Sequence, residues 1–389
     1  LTAPGSKPKR KQQQETAEGA ARWMALRAVV QHDVCSFVEH TRGWLVAQLP
    51  DSNLLLGASG MVLNGAHSSP FCGIVYREQA VVAVVLGTPP LATLVHVDRE
   101  FERAADIDLM CAVALEIVEP LVAYLRHHTK LDRPPPGIQG PPRFSTIMTA
   151  LVARALDPSW SRPILGGSRS PALELGISIN DHSEADPDQR WEGQIRQRML
   201  WLTLPANAPK APAGVGVLGM PPRDRVAPGR MRLAAGSELE TIVEWLVDFD
   251  VFMGDAADHG EARDGAAARV QALIDSERLF VWERPSDSAI VSMAIVARPI
   301  DDFSISISTV YTPAEHRGHG YAYNLVAHLA RLMLARDDTE APSSASKRSY
   351  PFLMIHVDSA ASVPNGVYER VGFREAAMLL ETKLLVTSS

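Results

Sequence analysis

The chain has 389 residues, 46% hydrophobic and 21% charged, an ordinary globular composition that excludes wholesale disorder and leaves room for two or three domains. Its formal net charge of −7 argues against nucleic acid or an anionic membrane as the main partner. Cys35, Cys72 and Cys111 are too far apart for a zinc pattern or a disulfide framework and fit buried thiols in a reducing compartment. His127 and His128 have no cysteine or carboxylate spaced to complete a metal site, so no metal is expected. No apolar run reaches the ~18–20 residues that span a bilayer. A cytoplasmic location is therefore expected, although the basic cluster Lys7, Lys9, Arg10 and Lys11 also fits a nuclear-targeting signal.

In chain order, residues 1–17 read as a disordered polar tail, and residues 18–48 carry helical periodicity. Strands are predicted at Phe71–Tyr76, Ala80–Leu86 and Ala92–Val97. An amphipathic helix follows from about Asp106 to His127, with a kink or break at Pro120. A further helix covers Phe144–Leu156, residues 157–190 read as a long loop, and Met199–Leu204 as a strand. The Pro/Gly/Ala-rich stretch 206–222 is the predicted linker between a first module, 18–205, and a second, 223–389.

Beyond the linker the predicted order is β-α-α-β-β-β-α-β-α-β, a mixed α/β layout. Arg230–Leu233 is its first strand. Ser237 with Glu240 reads as a capping box opening a helix, and Ala262–Asp275 as one continuous second helix. Strands follow at Arg278–Glu283, Ala289–Ala297 and Phe303–Tyr311, then a helix from about Tyr321. After a polar insertion at 337–349 come a strand at Pro351–Val357, a short helix at Pro364–Val371 and a last strand at Met378–Val386.

The informative junction is Val310-Tyr311-Thr312-Pro313-Ala314-Glu315-His316-Arg317-Gly318-His319-Gly320-Tyr321-Ala322. A strand ends, two glycines let the backbone approach a ligand, and a helix start presents unpaired N–H groups under a positive dipole end. Such a junction suits a pyrophosphate. It lacks the Gly-Lys-Ser/Thr of a Walker loop and the third glycine of a dinucleotide fingerprint.

Arg317, Gly320 and Ala322, after a strand ending in Val310-Tyr311-Thr312, resemble the acetyl-coenzyme A motif of the GNAT acetyltransferase superfamily, Arg/Gln-x-x-Gly-x-Gly/Ala. Asn365 and Tyr368-Glu369-Arg370-Val371-Gly372-Phe373 resemble that family's Asn-x-x-Tyr-x-x-x-Gly-Phe ending. Leu279–Glu283 and Ser292–Ala294 look like the second and third strands of a microbial GNAT branch. The resemblance covers the second half and implies a mixed sheet flanked by helices. It implies acetyl-coenzyme A as donor and an amine acceptor, small molecule or peptide, attacking directly in a ternary complex.

By the same resemblance, Val310, Tyr311 and Thr312 pair with the pantetheine arm. The N–H groups of Arg317, Gly318, His319, Gly320, Tyr321 and Ala322 hold the pyrophosphate, Asn365 positions the cofactor, and Tyr368 protonates the departing thiolate. The chain departs from the family pattern at Ala361, where an asparagine is usual. Glu283, His356 and Asp358 are candidate general bases with none singled out, and His316 and His319 read as solvent- or phosphate-facing. The alternative is a coenzyme A-binding or regulatory protein without turnover.

The first half resembles a degenerate GNAT-like module, through Asn53–Gly57, Gly87–Pro90 and Gly137–Pro141. Where the glycine loop would stand it has Asp98-Arg99-Glu100-Phe101-Glu102-Arg103, with three carboxylates against two arginines and no glycine. This half is expected not to bind acetyl-coenzyme A.

Overall fold

The computed structural model describes residues 26–65, 69–89, 91–128, 137–157, 191–205, 227–253, 258–300, 304–334 and 350–386, with 67, 160, 162 and 172 besides. The expected tail (1–17), linker (206–222) and insertion (337–349), and almost all of the loop 157–190, lie outside the described residues. The chain forms two compact units. One takes in Leu1–Met199 and Met378–Ser389, the other Leu200–Ala377. This differs from a division in simple chain order, because the last strand leaves the second unit partway and its end belongs to the first.

In the first unit the elements are β1 (Leu26–Gln31), α1 (Val34–Ala47), α2 (Asn53–Leu63), β2 (Phe71–Arg77), β3 (Ala80–Gly87) and β4 (Thr93–Val97). They continue with α3 (Arg99–Ala104), α4 (Ile107–His128), β5 (Ile138–Gly140), α5 (Pro142–Ala155) and the start of β6 (Trp191–Pro205). Strands β1 to β4 pair antiparallel in sequence order, and β5 joins β4 in parallel. The predicted helix over 18–48 is corrected here. Leu26–Gln31 is a strand on β2, because β-branched Val29 and Val30 meet Ile74 and Gly73 in the sheet. The helix starts only at Val34, where the Asp33 carboxylate accepts the Cys35 and Ser36 N–H groups.

The α4 helix runs unbroken through Pro120. A proline costs about 3 kcal/mol inside a helix. Here the buried stripe of Val113, Ile117, Leu121 and Leu125 on one core offsets it. That core also takes Phe144, Ile147, Met148 and Leu151 from α5. Cys72 and Cys111 are buried free thiols, whereas Cys35 is exposed.

The second unit contains the end of β6, β7 (Arg230–Leu233), α6 (Leu239–Met253), α7 (His259–Arg263), α8 (Ala266–Asp275), β8 (Leu279–Glu283) and β9 (Ile290–Ile300). After these come β10 (Ser304–Tyr311), α9 (Tyr321–Leu334), β11 (Phe352–Asp358), α10 (Ser362–Val371) and the start of β12 (Arg374–Val386). Strands β7 to β10 pair antiparallel in order, and β11 joins β10 in parallel, so the sheet is mixed. Alternation along β8 sends Leu279 and Val281 to the α6–α8 face and Phe280 and Trp282 to the α9–α10 face. Both faces are buried, the architecture of an α/β domain.

Two predicted helix features are corrected. Glu238, not Glu240, reaches back to cap the Ala235 N–H at 2.8 Å, and a short 3₁₀ turn precedes α6. The segment 262–275 is broken by Gly265, whose φ of +74° separates α7 from α8.

The end of β12 pairs with β5 through Leu380↔Gly140 and Glu381↔Gln139. Thr382 fastens it there. Its hydroxyl accepts the Ile138 N–H at 3.2 Å, donates to the Ile138 carbonyl at 3.0 Å, and lies 2.7 Å from Thr149 Oγ1. Thr382→Val keeps the shape but removes the hydroxyl that meets the buried Ile138 N–H and carbonyl, so urea unfolding should show a loss of about 1–3 kcal/mol.

Candidate functional site

The site grows from the way β10 ends. Its parallel ladder with β11 runs from Ser304↔Phe352 to Ile307↔Ile355 and stops there. On the other side the register with β9 shifts between Ile307↔Val296 and Val310↔Ala294, three steps on β10 against two on β9. This is a bulge, which bends a strand and twists it further. Among the described residues, the ladder to β11 does not extend to Ser308–Tyr311, which leaves that side of the strand end available to an extended partner.

After Tyr311 the chain turns through a 3₁₀ segment, Ala314–His316, into Arg317, Gly318, His319 and Gly320, and α9 begins at Tyr321. Gly318 and Gly320 hold φ of +81° and +79°, the left-handed region that a side chain disfavours by roughly 1–2 kcal/mol. No heavy atom lies within 4 Å of where a Gly318 Cβ would be, so the backbone there faces open space. Arg317 donates from Nε to the Thr312 carbonyl at 2.9 Å, tying the loop to the strand end. His319 stacks on Tyr321 with ring centroids 5.5 Å apart. The Arg317 N–H, expected to be free, donates to the Ala314 carbonyl at 3.3 Å because it closes the 3₁₀ turn, so the loop brings its N–H groups from Gly318 onward and the Arg317 charge to the start of a helix.

Asn324 is a residue that motif reading missed. Fully buried, it donates from Nδ2 to the Gly320 carbonyl at 2.9 Å and fixes the second glycine turn. The available signal was an asparagine, a weak helix former, four residues after Gly320 in a mostly apolar helix. Ser292 was missed as well. Its hydroxyl donates to the Tyr311 carbonyl at 3.1 Å and lies 2.9 Å from Thr312 Oγ1, bracing the strand end from β9.

Asn365 and Tyr368 come together on α10, immediately after β11. Asn365 donates from Nδ2 to the Asp358 carbonyl at 3.1 Å, and its buried Oδ1 accepts from no group among the described residues. Tyr368 is 7% exposed and packs edge-on against Phe373. Burial pushes its phenol well above the usual tyrosine range, so the hydroxyl keeps its proton.

The candidate bases are otherwise engaged. Glu283 is held by Arg232 at 2.5 Å and Arg230 at 2.9 Å, and the Arg232 hydrogen bond keeps its carboxyl below the ordinary range. Burial, with the Arg298 charge adding to it, pushes His356 down to about 3. Asp358 accepts the Ala360 N–H at 2.8 Å and shapes the turn before α10.

In the first unit the matching junction is filled by the protein itself. Asp98 Oδ1 accepts the Glu100 and Phe101 N–H groups, where an anion would sit at a helix start. Gln48 donates to Asp98 Oδ2 at 2.6 Å and accepts the Arg99 N–H, and Arg99 pairs with Asp51 at 2.6 Å. Just upstream, His96 is 2% exposed, edge-on to Trp44, and burial pushes it down to about 3.

Among the described residues, no cluster of three or more His, Cys, Asp or Glu could hold a metal ion, and no helix is long and apolar enough to cross a membrane. No family model matches the chain, and no curated protein matches it. Solved structures similar to it include a GNAT-family acetyltransferase from Colwellia psychrerythraea, at 9% identity and TM-score 0.46, over 92% of this chain and 100% of that one. A tandem GNAT protein from the clavulanic acid biosynthesis pathway matches at 12% identity and TM-score 0.43, over 94% of this chain and 99% of its own. A GCN5-related N-acetyltransferase from Sphaerobacter thermophilus matches at 13% identity and TM-score 0.47, over 92% and 96%. With identities this low and all three TM-scores under 0.5, the site's chemistry rests on its own residues.

The two buried imidazoles have a consequence for pH. Each binds its proton far less readily in the fold than at the ordinary value of 6.5. Each therefore contributes stability that is present above that value and lost as pH falls through it, by about 1.4 kcal/mol per pH unit. Glu102, pushed up to about 7 by burial, acts in the opposite sense. The imidazole carbon shifts of His96 and His356 should stay flat in NMR from pH 8 to pH 4.5.

Proposed function

We propose that the second unit is an N-acetyltransferase that moves the acetyl group of acetyl-coenzyme A to an amine acceptor, a small molecule or a peptide, by direct attack in a ternary complex. The observation that carries this reading is the end of the β10–β11 ladder at Ile307↔Ile355, beside a glycine loop that opens a helix. Open strand backbone and an anion-binding helix start, placed in succession, suit a ligand with an amide-bearing arm and a pyrophosphate. Bound there, acetyl-coenzyme A supplies an acyl group already activated as a thioester.

In this reading the backbone of Val310, Tyr311 and Thr312 pairs with the arm. The N–H groups of Gly318, His319, Gly320, Tyr321 and Ala322 hold the pyrophosphate, with the Arg317 charge beside them, whereas the Arg317 N–H itself donates to the Ala314 carbonyl. Asn324 keeps the Gly320 turn in shape, and Asn365 offers to the ligand an Oδ1 that meets no partner among the described residues. Tyr368 holds a proton at its hydroxyl for the departing sulfur. Its raised affinity for that proton keeps the hydroxyl protonated until the thiolate, itself desolvated, departs. A second reading, coenzyme A binding without turnover, draws on the engagement of Glu283 with two arginines, which removes one candidate base.

Calorimetry with acetyl-coenzyme A, followed by thiol release against a panel of amines, tests both. Gly320→Glu forces a side chain into left-handed backbone and puts a carboxylate at the anion seat, so affinity should fall at least about 100-fold. Tyr368→Phe should keep affinity within about threefold while turnover drops by about 10²-fold, the usual share of a general acid. No binding by the unaltered chain would sink the reading, and binding without turnover would move it to the second. A stoichiometry of one acetyl-coenzyme A per chain is expected, because Asp98 already occupies the helix start in the first unit; two sites would refute that assignment.

A further inference from the structure

The side of β10 that faces α6 carries polar and aromatic groups that the roles above leave unused. Side chains alternate across a strand, and at the end of β10 Val310 packs on the α9–α10 core while Tyr311 packs on the α6–α8 core. Tyr311 lies at the open end of the ladder, and its ring is 6.2 Å from that of Trp245. Its hydroxyl donates to Asp248 Oδ2 at 3.2 Å, and the other oxygen, Oδ1, lies 3.2 Å from His259 Nε2.

Two contrasts mark Asp248 out. The first is pairing. On the same helix Glu244 pairs with Arg263, and Asp250 with Arg269 at 2.7 Å. Among the described residues Asp248 meets no arginine or lysine, although its side chain is half exposed. A carboxylate has about four lone-pair sites, and two hydrogen-bond partners leave room for a cation. The second contrast is its neighbour one turn on. Phe252 is 83% exposed, the most exposed large apolar side chain among the described residues. Trp245, Asp248 and Phe252 stand at i, i+3 and i+7 and share one face of α6. A half-exposed carboxylate met by a histidine and a phenol but by no arginine or lysine among the described residues, beside an exposed aromatic ring, has the chemistry of a seat for an organic cation.

We propose that this face receives the acceptor, and that the acceptor is a protonated primary amine on an apolar body. Asp248 meets the ammonium group as the acceptor docks, Phe252 covers the apolar part, and Tyr311 orients the Asp248 carboxylate at the end of the open strand; the ammonium proton passes to water before the neutral amine attacks, and the proton shed as the amide forms replaces the one Tyr368 gives to the thiolate. The inference rests on the acetyl-transfer reading, and it goes further by naming the acceptor class and its residues.

The test is calorimetry of the full chain with 2-phenylethylamine and with 3-phenylpropan-1-ol, a neutral molecule of similar size. The unaltered chain should bind the amine at least tenfold more tightly than the alcohol. Asp248→Asn should weaken amine binding at least tenfold and Phe252→Ser at least threefold, with acetyl-coenzyme A affinity unchanged in both. Failure of the unaltered chain to bind the amine, equal binding of amine and alcohol, or equal amine binding by Asp248→Asn would each overturn the proposal. Acetyl-coenzyme A titrated into the same samples separates the two ideas. Its failure to bind removes the acetyl-transfer reading, while the amine results alone decide the Asp248 seat.

Discussion

Backbone N–H and C=O groups inside a sheet must find partners, and the second unit leaves a stretch of them open where β10 parts from β11. Much else in that unit is arranged around this opening. A bulge against β9 bends β10 after Ile307, and the Ser292 hydroxyl braces its end. Arg317 then folds the glycine loop back onto the Thr312 carbonyl, so the helix start follows closely on the open strand. On the neighbouring strand, Asn365 grips the Asp358 carbonyl and sets α10, with Tyr368, at the strand's end.

The first unit shows what happens when the same layout is closed by its own side chains. It keeps the antiparallel strands, the parallel neighbour and the helix after β4. Asp98, however, spends its carboxylate on the N–H groups that a bound anion would use, and Gln48, Arg99 and Asp51 lock the arrangement. No glycine opens the backbone there. A short sequence difference, Asp-Arg-Glu in place of a glycine loop, turns a receptive helix start into a satisfied one.

Local features of the sequence were legible and distant pairings were not. The strands β2, β3, β8, β9 and β10 fell within a few residues of their predicted bounds, because apolar runs between turn residues are a local signal. The glycine loop and Tyr368 were readable because their spacing is itself local. Leu26–Gln31 misled because a short stretch with Leu26, Ala28, Val29 and Val30 fits a helix or a strand until its partner is known. Asp248, His259 and Tyr311 form one hydrogen-bonded chain from residues up to 63 positions apart, and no periodicity announces that. The engagement of Glu283 with Arg230 and Arg232 is likewise a property of paired strands.

The exchange of chain ends bears on how the protein comes into being. Thr382 closes on Ile138 across 244 positions. A ribosome therefore has to translate the second unit before the last strand of the first can be laid down. Until then β5 is a sheet edge awaiting its neighbour, exposed to any other strand in reach. Domains made N-terminus first usually fold as they emerge. Here the earliest-made half is finished last, and a nascent chain stalled anywhere before residue 378 would carry an incomplete first unit, a natural mark for quality control.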